Sequence, residues 1–302
     1  MTLDQAVLDT WEALGEPSDL DPTDSNDNTV PGSPGYLKLS RWIDEGLKAL
    51  STYKWPSGQR IRFRVLEKSC SFKTYYHAGN VPNGQSFPWS QLMVSGIGWT
   101  DARKNDIIRI NNETRRIVSI YTQTNTFWVL DAPLSIDPTG DLLEIFRQKY
   151  NITLNTEPQT GDIGTTDDIA EILDVYRTSD QSSMLQSLRG VRNFNITLGT
   201  PGGYNKFGRA IEFDVVPMIS EYYTIFYYAY PDIPNPTEQL TLPLPFHRAV
   251  VLYAIWIGSI RSMENTTAYA RKKDYDDLMS HLRTEYDLES ETQTSYAQIR
   301  TT

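Results

Sequence analysis

YYTIFYYAYPDIPNPTEQLTLPLPFHRAVVLYAIWIGSI, residues 222–260, carries both kinds of secondary structure on either side of one break. Tyr222–Tyr230 is a run of aromatic and β-branched residues, the composition of a strand. The Pro-rich PDIPNP that follows ends it. From about Pro245 to Met263 the pattern is helical, with an unbroken apolar run from Val250 to Ile257. A helix apolar nearly all round is one buried on several sides. A second helix is expected from about Thr266 to Leu288, with Tyr275, Leu278, Leu282 and Tyr286 on one side and charge on the other. The class expected is α+β.

Outward from this stretch, AIEFDVVP (210–217) is β-rich, GTPGGYNKFG (199–208) reads as a glycine-rich turn, and SMLQSLRG (183–190) as a helical turn or two. DIAEILDVYRT (168–178) is ambiguous. Ile169, Ile172, Leu173 and Tyr176 fit a helix, whereas Ile169, Glu171, Leu173 and Val175 fit an edge strand. Between 85 and 155 lies a separate small β unit, with strand candidates Trp89–Val94, Asp106–Ile110, Thr114–Tyr121, Thr126–Leu130 and Leu142–Phe146. Short strands joined by polar turns suggest a small barrel or sandwich, closed to avoid exposed edges. Trp99, Phe127 and Trp128 are expected in its core.

RIRFRVL (60–66) and SFKTYYH (71–77) alternate with period two and read as strands, the first with Arg60, Arg62 and Arg64 on one face. Leu3, Val7, Trp11 and Leu14 mark a first helix ended by Gly15, and Tyr36, Leu39, Ile43, Leu47 and Leu50 a second. Between them, GEPSDLDPTDSNDNTVPGSPG (15–35) reads as an acidic linker. Asp19, Asp21 and Asp24 lack the turn glycine and closing glutamate of a calcium loop. The domains expected are 1–84, 85–155 as an insertion, 156–288, and a polar tail at 289–302.

The 28 basic and 38 acidic residues leave a net charge of −10, and eight of the acids, from Asp4 to Asp27, precede the first Lys or Arg. No basic footprint for phosphates exists, so tight nucleic-acid binding and anionic membrane surfaces are disfavoured. Cys70 is the single cysteine, which excludes an intramolecular disulfide and a Cys-based zinc site. MTLDQAVLDTWEALG has no basic n-region and no long apolar stretch, so no signal peptide is expected.

No GxSxG, HExxH, GxxxxGK[ST] or GxGxxG pattern occurs. Three scattered histidines, His77, His247 and His281, make a catalytic zinc site improbable. Asp276-Asp277 are adjacent on a helix, where side chains point apart. No catalytic, cofactor or metal residues are expected, and no enzyme.

EILDVYRTSD, AIEFDVVP, YYTIFYYAYPDIP, QLTLPLPFHRAVVLYAIWIGSI and AYARKKDYDDLMSHL, in that order, resemble the head-to-tail adaptor (connector, head-completion) proteins of tailed bacteriophages. In that family a strand ending in Pro pairs with a Tyr-rich strand. A Leu-Pro step then starts a buried helix, and a charged helix lies against it. The two N-terminal helices fit as well, so the resemblance covers roughly 1–55 and 168–288. It selects the strand for DIAEILDVY. It implies an α+β fold: a helical-bundle adaptor core with β-strands and an inserted small β-barrel or sandwich domain. The function implied is structural: a homo-oligomeric ring of about twelve copies at the virion neck, assembled in the host bacterial cytoplasm. Its partners would be the portal protein, neighbouring copies, and tail or gatekeeper proteins. DNA would pass through without tight binding, and no membrane is involved. Another phage ring component, namely a gatekeeper, stopper or tail terminator, is the alternative. A β-rich glycan-binding virion protein using Trp99, Trp128 or strand 222–230 is a third reading. Tyr296, Ile299 and Arg300 in the tail are the portal-binding residues expected, the tail lying extended along its partner.

Overall fold

The structure is a computed structural model that describes the chain apart from residues 24–32, 55–57, 59–60, 84, 86–88, 95–98, 100, 123–125, 155–161, 187–196, 207, 262–264 and 299–302. At 122, 126, 185, 265 and 285–298 it describes the backbone. The chain divides into two units, Met1–Glu67 with Tyr230–Thr302, and Lys68–Ala229.

The first unit is helical. It comprises α1 (Leu3–Ala13), α2 (Pro34–Ser51), α3 (Leu244–Arg261) and α4 (Asn265–Gln298). Thr2 caps α1 by accepting the Gln5 N–H, and Gly15 leaves the helix at a φ of +86° that suits only glycine well. Ser33 caps α2 by accepting the Tyr36 N–H, with Pro34 in the first turn, where its missing N–H costs nothing. Leu39, Ile43, Leu47 and Leu50 are fully buried, so the apolar spacing faces the core. The α3 helix packs on α1, α2 and α4. Gly258 permits the approach to α2: a Cβ there would stand 2.8 Å from the Trp42 ring.

The second unit holds the strands: β1 (Glu67–Lys73), β2 (Tyr76–Asn80), β3 (Gln91–Val94), β4 (Ile107–Ile110), β5 (Glu113–Thr122), β6 (Thr126–Leu130), β7 (Leu142–Phe146), β8 (Lys149–Leu154) and β9 (Ile163–Thr165). Then come β10 (Ile169–Arg177), β11 (Ser182–Ser183), β12 (Leu185–Gln186), β13 (Leu198–Gly199), β14 (Gly203–Lys206), β15 (Ala210–Phe213), β16 (Val216–Pro217) and β17 (Tyr222–Ala229). They form sheets in the orders β1-β17-β10-β11, β12-β14-β15-β8-β9, β13-β16 and β2-β7-β4-β5-β6-β3. The chain enters on β1 and leaves on β17, which are neighbours in one sheet. Adjacent ends are what an inserted domain needs.

One continuous cluster of buried side chains, from Phe72 to Ala229, fills this unit. Phe72, Tyr150, Phe213 and Tyr223 join two of the sheets, with ring centroids 5.2 Å apart for Phe72–Tyr150 and 4.8 Å for Phe213–Tyr223. At the six-stranded sheet Trp99 meets Trp128 edge-on at 5.5 Å. Gly79 leaves room for Trp99, whose ring would lie 2.8 Å from a Cβ there.

The expectation of a helical-bundle core with a small β insertion is overturned. The described residues are β-rich, their strands forming four sheets, and the strands expected inside and outside 85–155 belong to one unit, Lys68–Ala229, instead of a helical core with a separate insertion. The reason is in the packing: Ile172, Val175, Tyr223, Ile225 and Tyr227 share their core with residues of the expected insertion. The five strands expected between 85 and 150 are present as β3 to β7, joined by β2, but their sheet order has β2 and β3 at its ends, not the closed order of a barrel. AIEFDVVP is two strands, β15 on β8 and β14 and β16 on β13, so the Pro-ending strand does not pair with Tyr-rich β17. In place of the helical turns expected from Ser183, β11 and β12 occur, and 187–190 lie outside the described residues. The glycine-rich segment supplies strand β14 before its turn.

Arg60 lies outside the described residues, and residues 61–66 of RIRFRVL form no strand. Ile61 and Phe63 are buried and Arg62 and Arg64 exposed, so burial alternates, but a short 3-10 turn at Arg64–Leu66 follows and the ladder begins only at β1. Phe63 fills its place by packing edge-on against Phe246 of α3 at 4.8 Å. The last helix is longer than its apolar face. It runs to Gln298, through most of the tail expected to be extended, because no Gly or Pro interrupts 265–298.

Candidate functional site

Trp128 Nε1 and Asn205 Oδ1 are buried in the β unit without a hydrogen-bond partner among the described residues, but its buried ionic groups pair with each other. Arg147 and Asp106 form a bidentate pair, Nε to Oδ1 at 3.0 Å and Nη2 to Oδ2 at 2.9 Å, with both side chains under 5% exposed. Arg147 Nη2 also donates to the Asp101 carbonyl at 2.6 Å, and its guanidinium lies 4.5 Å from the Tyr75 ring centroid. The Arg103 N–H donates to Asp106 Oδ2 at 2.8 Å. These bonds hold the pair in a structural role.

The next cluster centres on Asp167, which accepts from Lys68, from Thr166 Oγ1 at 2.7 Å and from the Tyr227 hydroxyl at 3.1 Å. Burial pushes its carboxyl up, and these hydrogen bonds more than offset that, leaving it below the usual carboxylate range. Cys70 is half-buried nearby, and burial, with the Asp167 charge, pushes its thiol up to about 11. A thiol held protonated is a poor nucleophile. The cluster is a structural ion pair.

Two histidines are likewise absorbed into packing. His77 sits edge-on against Trp99 at 4.5 Å, and His247 is buried with Nε2 2.6 Å from the Leu242 carbonyl. Among the described residues no group of His, Cys, Asp and Glu could hold a metal, and no helix is long and apolar enough to cross a membrane. Trp99 and Trp128 are buried and Phe127 half-buried, which removes the tryptophans as a glycan platform. In β17, Tyr222 is exposed but Tyr223, Tyr227 and Tyr228 are buried, so the Tyr-rich strand offers no continuous aromatic surface.

The helical unit differs. On α3, Leu252, Tyr253, Trp256 and Ile257 are only half-buried and Ile260 is 45% exposed. Buried Tyr275 of α4 anchors this face, stacked on Trp256 at 6.2 Å and edge-on to Tyr253 at 5.7 Å and Tyr53 at 6.5 Å. Lys272 lies 5.7 Å over Trp256 and pairs with Asp276 one turn on. Beside it Tyr269 is 78% exposed, the most open large apolar side chain among the described residues. Tyr269, Lys272, Lys273 and Asp276 share one side of α4 by their spacing. This aromatic, charged surface is the candidate site. Its aromatic and charged groups include no nucleophile, and they suit contact with a macromolecule.

The tail residues expected to bind the portal are not gathered into a site. Tyr296 lies on α4, where the backbone is described, and Ile299 and Arg300 fall outside the described residues. Sequence reasoning missed Trp256, Ile260, Tyr269 and Lys273. For Trp256 and Ile260 the signal was the apolar excess of α3; Tyr269 and Lys273 lie on α4, whose sequence carries no such signal. No protein-family model matches the chain, and no curated protein matches it.

Proposed function

We propose that this chain is a non-enzymatic structural protein of a tailed-phage virion. Copies form a ring at the neck that joins the portal to the tail and lets DNA pass. The observation that carries the reading is the α3–α4 surface, where Trp256 is half-buried under Lys272 and Ile260 (45%) and Tyr269 (78%) stay exposed. Aromatic and aliphatic groups left wet beside charge are the material of interfaces. The element order supports the same reading: a Leu244-Pro245 step opens the buried helix α3, and the charged helix α4 lies against it.

A net charge of −10 is multiplied by every copy in a ring, so association in isolation is weak and the portal nucleates it. Electron cryo-microscopy of the full chain mixed with purified portal tests the proposal. A ring docked coaxially on the portal is expected. Monomers that stay off the portal at saturating concentration would overturn it.

A further inference from the structure

The six-stranded sheet ends on β2 at one side and on β3 at the other. Both strands fall in the stretch from Thr74 to Thr100, which contains no Asp, Glu, Lys or Arg. Edge strands ordinarily carry charge, above all Lys, which keeps a second chain from pairing with their free backbone. That protection is absent from this stretch. In β3 the side chains of Leu92 and Val94 are buried, Met93 is half-buried and Gln91 is exposed, so the edge presents backbone without charge beside it.

What stands at the β3 edge instead is a side-chain amide. β3 pairs antiparallel with β6 through Gln91 to Val94. Successive residues of such a strand turn their N–H and C=O alternately toward the partner and away from it. At Met93 both groups are taken by Gln85, on the side away from β6. The Met93 N–H donates to Gln85 Oε1 at 3.0 Å, and Gln85 Nε2 donates to the Met93 carbonyl at 2.9 Å. That two-bond ring is the one that the opposite residue of an added strand would make. Gln85 Nε2 also donates to the Pro82 carbonyl at 3.1 Å, which uses its second hydrogen and ties the amide to its own loop.

We propose that Gln85 is a built-in guard of the β3 edge. Its amide occupies the pairing position of Met93 and keeps free copies of the chain from joining β3 to β3 as antiparallel strands. The occupant that the guard excludes is the same strand of a second copy. A twofold axis sets this edge against an identical one, and with no charge between Thr74 and Thr100 nothing in the two edges repels. Such a pair closes on itself and would withdraw copies from any larger assembly. The guard acts on the free chain and does not depend on what the chain joins.

Sedimentation velocity of the full chain over a concentration series, with hydrogen exchange at Met93, tests the guard. Gln85→Ala should fold, and should self-associate about tenfold or more tightly than wild type once the Met93 groups are free. Its Met93 amide should exchange fast in dilute solution and become protected as pairs form, whereas the wild-type amide is protected at every concentration. Adding Gln91→Lys to Gln85→Ala places a charge on the exposed side of the edge, and the gain in association should disappear while the Met93 amide stays open. Gln85→Leu, which keeps the bulk of the side chain, should behave like Gln85→Ala. Variants that open the Met93 amide yet stay as monomeric as wild type would overturn the proposal. So would association that protects a strand other than β3, or association that Gln91→Lys leaves intact. If Gln85→Ala and Gln85→Leu both unfold, Gln85 is a folding element instead of a guard, and the proposal falls as well.

Discussion

Replacing Arg147 with methionine removes the cation of the buried pair but leaves the Asp106 carboxylate where water cannot reach it. Three hydrogen bonds from the guanidinium disappear, two to Asp106 at 3.0 and 2.9 Å and one to the Asp101 carbonyl at 2.6 Å. The contact with the face of Tyr75 goes with them. Breaking one side of a buried, hydrogen-bonded ion pair costs about 3–5 kcal/mol, mostly the penalty of the stranded charge. For a unit the size of Lys68–Ala229, each kcal/mol moves the midpoint by about 2–4 °C, so the transition should fall by about 6–20 °C. Asp106→Leu alone should cost a similar amount. The double substitution Arg147→Met with Asp106→Leu should lie well above either single variant, because neither charge is stranded. Calorimetry gives the midpoints, and amide exchange assigns the loss to β4 and β7, which carry or flank the pair. A loss below about 1 kcal/mol, or a double variant equal to the sum of its singles, would refute the reasoning.

Further expectations follow from the same geometry. Gly258→Val should destabilise the helical unit by about 1–3 kcal/mol, read as a lowered urea midpoint, because the new side chain must displace the Trp42 ring. Burial, and the Met1 amino group 3.2 Å from Nδ1, hold His247 below its ordinary value. The unfolded chain then takes the proton first as pH falls. Stability is present above about pH 6.5 and lost below it, and His247→Gln should flatten the slope of midpoint against pH. Tyr269→Asp should leave thermal stability within about 0.5 kcal/mol but reduce ring formation on the portal, seen by negative-stain counting. Deleting 290–302 should shift the midpoint by no more than about 1–2 °C while weakening portal docking, measured by co-sedimentation.

Elements whose apolar residues point one way were legible. Leu39, Ile43, Leu47 and Leu50 describe α2, and the short runs of β3 to β7 stand out between polar turns. DIAEILDVYRT was readable two ways for a physical reason. As β10 it has register shifts between Ile169 and Glu171 and between Ile172 and Asp174. The second brings Ile172 and Val175, three apart, onto the same buried face, a helix-like spacing inside a strand. RIRFRVL shows the converse, since its burial alternates without a ladder and period two alone does not make a strand. Sheet membership was not legible. Whether AIEFDVVP lies beside β17 or beside β8 depends on which distant strands share a core, and no local pattern encodes it. The candidate site was not legible: the apolar run of α3 reads as a helix buried on several sides, yet Leu252, Tyr253, Trp256 and Ile257 are half-buried, because which part is covered depends on where α1, α2 and α4 lie.

Both units pair charges: Asp106 with Arg147 in the β unit, and Lys48 with Asp44, Arg261 with Glu45 and Lys272 with Asp276 in the helical unit. What the α3–α4 surface adds is aromatic area beside such a pair, with Tyr269 and Ile260 wet and Trp256 under Lys272. If that surface served only solubility, charge would suffice and the aromatic rings beside Lys272 would be a liability. Aromatic area combined with charge gives an exposed surface both something to bury and a preferred partner.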